Sequence, residues 1–352
     1  MPMVIGDVEL HMGPTEVGAP DDLEKVIVDF IEGAKRKLDI AVQELESKPI
    51  AKAIIRARQR GRSVRLMVES DYLSVKKAVP DPWNEGGTNE ANREIFNAVL
   101  RSKIKVRSDF NTNIFHQKFI IRDGSAVLTG STNFTPTGVK KNLNHVVVVK
   151  DRKVANAYKK EFREINAGHF GRYNLGHDDT PRDVIVSDLP IRVLFAPDHN
   201  PEMEIMKQIA KARKRIDFAI FTFSKSSGID DALIQAGHAN VTVRGVFDAL
   251  MGNRDWAATR LLHGAGAEAH LVRKRGPLGK LHHKLMVIDR QVVIAGSFNY
   301  TRPATKLNDE NIIILGDLDT ESNEARKAQR KLAKYALDEI DRIIKDHGEK
   351  VH

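Results

Sequence analysis

The chain has 352 residues, of which 41% are hydrophobic and 29% charged, a composition that belongs to folded globular proteins and excludes low-complexity and disordered classes. Lysine and arginine outnumber aspartate and glutamate by 56 to 47, and the resulting +9 favours polyanionic partners, nucleic acid or an anionic lipid surface. With no cysteine, disulfides, thiol catalysis and cysteine-ligated zinc are excluded.

The N-terminal stretch Met1 to Asp7 has neither a basic segment nor an apolar one, and the apolar runs, such as Val146 to Val149, are of strand length. A cytoplasmic protein without stable membrane insertion is therefore expected. An amphipathic helix then runs into Ala34-Lys35-Arg36-Lys37-Leu38-Asp39-Ile40-Ala41, which returns as Ala212-Arg213-Lys214-Arg215-Ile216-Asp217-Phe218-Ala219. Val64 to Glu69 matches Val243 to Asp248, and Met12-Gly13-Pro14 matches Phe195-Ala196-Pro197. Helical periodicity alternating with short β-branched runs predicts an α/β fold, two similar lobes that each pair a mixed sheet with flanking helices.

The lobes are predicted over residues 1–170 and 191–352, joined by a linker at 171–190 that is rich in Gly, His, Asp and Pro. Helices at Val154 to Ile165 and Glu321 to Lys345 close the two halves, the second with an apolar stripe of Leu332, Ala336, Ile340 and Ile344 expected to pack in the core. From Glu69 to His116 the first half spans 47 residues where the second, from Asp248 to His282, spans 34. The surplus is assigned to an exposed loop around Val79 to Gly87, which contains Trp83.

One motif occurs once per half. His116-Gln117-Lys118, Asp123 and Gly130-Ser131-Thr132-Asn133 recur as His282-His283-Lys284, Asp289 and Gly296-Ser297-Phe298-Asn299, each position offset by 166. On a strand, His-x-Lys puts imidazole and ammonium on one face, and a hairpin turn returns Ser and Asn beside the histidine. Two imidazoles, two cations, two hydroxyls and two amides suit a phosphodiester: Lys118, Lys284 and the Ser131, Asn133, Ser297 and Asn299 groups would hold its oxygens, with His116 and His282 on either side of phosphorus.

This pattern, HxKx4Dx6GSxN twice, resembles the phospholipase D superfamily over nearly the whole chain. The resemblance is poorer to tyrosyl-DNA phosphodiesterases, whose motifs lack the aspartate. It implies a ping-pong reaction through a phosphohistidine and structural roles for Asp123 and Asp289 in the hairpin turn; with Lys118 and Lys284 already supplying two cations for a monoanionic diester, no metal or other cofactor is expected. By analogy with some two-motif members, His116 is taken as the nucleophile. Eleven residues past each motif asparagine, where the family places a carboxylate, the second half has Glu310 but the first has Asn144. The site is therefore expected to be asymmetric, with the imidazole that meets Glu310 having the higher pKa.

His282 and His283 alternate across a strand and make a poor ligand pair, so no metal site is expected. Arg273-Lys274-Arg275, just before the second motif, is assigned to flanking phosphate contacts. The basic excess and the scarcity of aromatics, 6%, point to a nuclease, acting on DNA more readily than RNA. The alternative is a soluble phospholipase D. A binding module on a dead site comes third, and the full set His282, Lys284, Ser297, Asn299 and Glu310 argues against it. One chain should hold one complete site, with no need for a dimer.

Overall fold

The computed structural model describes residues 2–77, 79–176 and 179–352; Met1, in the first lobe and the leader region considered above, Ala78 beside the loop insertion, and His177 and Asp178 in the expected linker lie outside the described residues. Two mixed sheets account for the fold. The first runs, in spatial order, Met3–Ile5, Val8–Gly13, Asn144–Val149, Ala126–Gly130, Lys118–Arg122, Lys37–Val42, Ser63–Val68 and Lys105–Ser108. The second runs Val184–Val186, Leu189–Ala196, Glu310–Leu315, Val292–Gly296, Lys284–Ile288, Arg215–Ile220, Thr242–Asp248, Glu268–Val272 and Gly348–Lys350.

The order is the same in both, and so is the register. Ile120 pairs with Leu128 in the first motif hairpin and Met286 with Ile294 in the second, each shifted by 166. At the outer side of each motif hairpin, Gly13 stands opposite Asn144 and Ala196 opposite Glu310, which explains why the entry segments match across the repeat.

Each hairpin is tied down by its motif aspartate. Asp123 accepts the backbone N–H groups of Lys35, Arg36 and Lys37 at 2.7–2.9 Å, and Asp289 accepts those of Arg213, Lys214 and Arg215 over the same range. This is why the basic tripeptide and the aspartate recur together: the turn of the hairpin caps the entry to the neighbouring strand. Gly130 and Gly296 have φ of 150° and 141°, and a side chain on either would collide with the carbonyl oxygen of His145 or Asn311. Only glycine lets the motif strand approach that closely.

Outer helices cover one face of each sheet, with separate cores beneath them. The inner faces share a third core, into which the helices Arg152–Ala167 and Asn323–His347 bury Tyr158, Phe162, Leu332, Ala336 and Ile340. The terminal stripe thus packs between the lobes, with Ile344 partly buried against it. Segment 171–190 is not a bare connection: it forms a 3-10 turn over Gly171–Asn174 and the strand Val184–Val186, and Gly171 N donates to Asp309. Trp83, in the loop between Ser70–Tyr72 and the helix Glu90–Arg101, is 96% exposed.

Candidate active site

The segments leading to the two motif histidines cross between lobes. His116 N donates to Asp309 O and Asp309 N to Ile114 O; symmetrically, His282 N donates to Leu143 O and Leu143 N to Lys280 O. Each approach is also held by a carboxylate at the end of a neighbouring strand: Glu69 accepts from Phe115 N, and Asp248 from Leu281 N. Both histidines line one cleft of about 560 Å³ at this junction.

The crossing settles how each imidazole is oriented. His116 Nδ1 lies 2.6 Å from Glu310 Oε2, and His282 Nδ1 lies 2.9 Å from Asn144 Oδ1, each partner coming from the opposite lobe. Asn144 donates its amide N–H groups to Gly138 O and Asn142 O and accepts from Ser131 Oγ, so its oxygen faces His282 and the imidazole proton sits on Nδ1. The bare Nε2 is then the reactive atom.

Burial holds the His116 imidazole well below its usual range, with Lys118 and Lys284 adding to the effect. Burial likewise holds His282 down, reinforced by Lys284, Lys280 and Lys118. Glu310 is pushed up to about 8 by burial, against the pull of Lys118, Ser297 and Lys284. Both members of the His116–Glu310 pair thus resist charge, and the pair holds one proton within its short hydrogen bond.

Lys118 and Lys284 are 1% and 2% exposed. Lys118 donates to His116 O and Gln43 Oε1, and burial brings it down to about 7. Lys284 donates to His282 O and is lowered well below its ordinary value by burial and then by Lys118. Where Gln43 stands in the first half, the second has Phe221, whose ring lies under the ammonium groups of Lys280 and Lys284. Two buried lysines with one carboxylate near them, behind a cleft that Lys280 lines, favour the entry of an anion.

The serines depart from the phosphate-holding role expected of them. Ser131 and Ser297 are fully buried, and their hydroxyls donate to Asn144 Oδ1 and Glu310 Oε2, so they brace the orienting residues of the opposite lobe's histidine. Asn133 and Asn299 do line the cleft. Asn133 Nδ2 is spent on Glu44 Oε1, whereas Asn299 Oδ1 is buried with no hydrogen-bond partner among the described residues. The loop Arg273 to Arg275 does not line the cleft; its residues are exposed and Arg273 pairs with Glu349. The cation that does line it is Lys280, two residues before His282, which the period-two run Lys280, His282, Lys284 could have revealed. Gln43 and Phe221 are marked in the sequence only by their place two residues past the repeated alanine, Ala41 and Ala219.

Among the described residues, one acidic group has metal-binding spacing, Glu161, Glu164 and Asp198, and none of the three lines the cleft. No helix of the described residues is long and apolar enough to cross a membrane.

A duplicated fold with one histidine–lysine motif per lobe, converging on one cleft, is the arrangement of phospholipase D-like proteins. The family model described as "Cardiolipin synthase, PLD-like domain" matches residues 27–166 and 205–334, and the chain belongs to that family. It is 28% identical over 133 residues to the mitochondrial cardiolipin hydrolase of Xenopus laevis, covering 38% of this chain and 56% of the frog protein. It is 30% identical over 139 residues to the phospholipase D of Rickettsia prowazekii, covering 40% and 60% respectively. The chain therefore spans a little over half the length of these curated relatives. Among solved structures, the phosphatidylserine synthase of Haemophilus influenzae Rd KW20 superposes with a TM-score of 0.70 over 100% of this chain and 88% of its own, at 13% identity. The polyphosphate kinase of Porphyromonas gingivalis gives 0.63 over 98% and 48%, also at 13%. These two likenesses establish the two-lobed fold and nothing about substrate.

Proposed function

We propose that the protein is a metal-independent phosphodiesterase that works through a phosphohistidine, and that its substrate is nucleic acid, DNA before RNA. The observation that carries the chemistry is the crossed orientation of two imidazoles in one cleft, one against a carboxylate and the other against an amide. His116, with its Nδ1 proton toward Glu310, attacks phosphorus through Nε2; the new P–N bond replaces the P–O bond to the leaving group. The carboxylate stabilises the positive charge that the ring then carries. His282, protonated on Nε2 as the anion enters and offsets the lysines, gives that proton to the leaving oxygen. A water then loses its proton to His282 and attacks phosphorus, breaking the P–N bond and freeing His116. Lys118, Lys284 and the Asn299 amide would hold the non-bridging oxygens.

The +9 charge and the cleft lining support the nucleic-acid reading: Lys280 offers a phosphate contact, while Tyr72, Phe221 and Trp256 offer faces for bases. A phospholipid substrate is the second reading. The curated relatives' names and the exposed apolar residues at the mouth, Ile114 and Trp256, favour it. Incubation in EDTA with labelled DNA, RNA, phosphatidylcholine and cardiolipin side by side separates them. Cleavage of a nucleic acid is expected. Headgroup release or cardiolipin hydrolysis with both nucleic acids intact replaces the first reading by the second, and activity that EDTA abolishes and Mg²⁺ restores removes the metal-free mechanism.

A further inference from the structure

Behind the cleft, two buried polar chains that the reaction above does not use join the lobes. In the first, Glu161 accepts from Gln117 Nε2 and Asn311 Nδ2 donates to Gln117 Oε1 at 2.6 Å. In the second, the positions of Gln117 and Asn311 are taken by two histidines, His283 and His145, with Glu339 of the terminal helix beside them. His145 and His283 are fully buried. Their rings are parallel within 4°, with centroids 5.4 Å apart and Nδ1 atoms 3.1 Å apart. That combination places the rings edge to edge in one plane, since each Nδ1 stands about 1.1 Å from its own ring centre.

Geometry then fixes every proton of the neutral pair. Gly296 N–H donates to His145 Nε2, so that nitrogen is bare and the His145 proton sits on Nδ1. His145 Nδ1–H donates to His283 Nδ1, which must also be bare, and the His283 proton sits on Nε2, 3.7 Å from Glu339 Oε1. Glu339 is kept a carboxylate, despite burial, by a paired contact from Arg342. The groups facing the imidazoles are Ser131 and Gly296 at the motif strands, Lys284 on the strand Lys284–Ile288, and Glu339 and Arg342 on the helix Asn323–His347. An added proton finds no free nitrogen: on His145 Nε2 it faces the Gly296 N–H, and on His283 Nδ1 it faces the His145 N–H.

We propose that His283 and His145 are positioning residues, a directional imidazole pair that is anchored on Gly296, faces the Glu339 carboxylate of the terminal helix across the lobe junction, and makes this half of the site acid-sensitive. His283 lies between His282 and Lys284, and His145 follows Asn144, so the pair holds both the acid–base imidazole and the amide that orients it. The other half, built from Gln117 and Asn311, does the same work with groups that do not titrate. Burial, which pushes both imidazoles below their usual range, agrees with a pair that stays neutral near pH 7.

The test has two arms, and only the kinetic one rests on the phosphodiesterase reading. In the first, the whole chain is labelled with ¹⁵N-histidine, and resonances are assigned through His145→Asn and His283→Gln. The expected result at pH 7 is two neutral rings of opposite tautomer, His145 protonated on Nδ1 and His283 on Nε2. The same tautomer in both rings, or a charged ring, overturns the proposal. In the second arm, His283→Leu should lower kcat by about tenfold to a hundredfold on whichever diester the wild type cleaves, because a small misplacement near the chemistry is enough. The double variant His145→Asn with His283→Gln, which copies the amide pair of the other lobe, should recover most of that loss at pH 8. Its activity relative to wild type should then rise as the pH is lowered from 7 to 5. A ratio that stays flat over that range overturns the acid-sensitivity. A wild type inactive on every diester refutes the functional reading, and the tautomers still decide the pair.

Discussion

At the scale of single residues, the two halves of the site differ in the side chain that orients each histidine. Glu310 gives His116 a carboxylate, whereas Asn144 gives His282 an amide oxygen. Replacing Glu310 by Gln keeps the shape but removes the charge that stabilises a phosphorylated imidazole, so kcat should fall on the order of a hundredfold or more. Asn144→Asp keeps an acceptor for His282 but sets a buried carboxylate oxygen against the carbonyls of Gly138 and Asn142; its cost should be about tenfold, and steady-state kinetics of the two variants compares them. Lys118 carries a second expectation. Burial holds its ammonium down to about 7, so it is protonated below that pH and neutral above it. An anion in the cleft favours the protonated form, and affinity for a non-cleavable phosphodiester should fall as the pH rises through 7. Titration calorimetry across pH 6 to 9 reads this directly, and an affinity that climbs with pH would reverse the sign.

At the scale of elements, the hairpins carry the register and the aspartates hold the hairpins. Asp123→Ala and Asp289→Ala each strand three backbone N–H groups at a partly exposed turn, which should cost about 1–3 kcal/mol apiece. The two turns are in different lobes and share no partner, so thermal denaturation of the double variant should show the costs adding. Turnover per folded molecule should change little in either. Much of this level was legible beforehand. The 166-residue offset placed both hairpins, because strand, turn and return strand are local and their spacing is rigid. The phosphate-holding role expected of Ser131 and Ser297 was not what the fold provides, because their partners, Asn144 and Glu310, stand thirteen residues on and reach them only after the sheet forms. Arg273 to Arg275 looked close to the cleft because they are close in sequence, yet the loop turns outward and Arg273 meets Glu349.

At the scale of the molecule, the two lobes are one unit. Their inner faces share a core, and the helix Asn323–His347 reaches back to the first lobe, where Arg342 donates to Val17 O. Which lobe supplies each histidine's partner was hidden in the sequence, since the contacts join residues 194 and 138 positions apart. Because both histidines of the site belong to one chain, a mixture of His116→Ala and His282→Ala chains should recover no activity, whereas restored turnover would indicate a site shared between chains.

In the proposed mechanism His116 becomes phosphorylated and His282 serves it. Its most direct test is to mix His282→Ala with a short oligonucleotide, quench without acid, and map the covalent adduct by peptide mass spectrometry. The mechanism predicts a phosphoramidate on the peptide containing His116, and none when His116→Ala is treated in the same way. An adduct on His282 in the His116→Ala protein, with His116 unmodified in its counterpart, would contradict it.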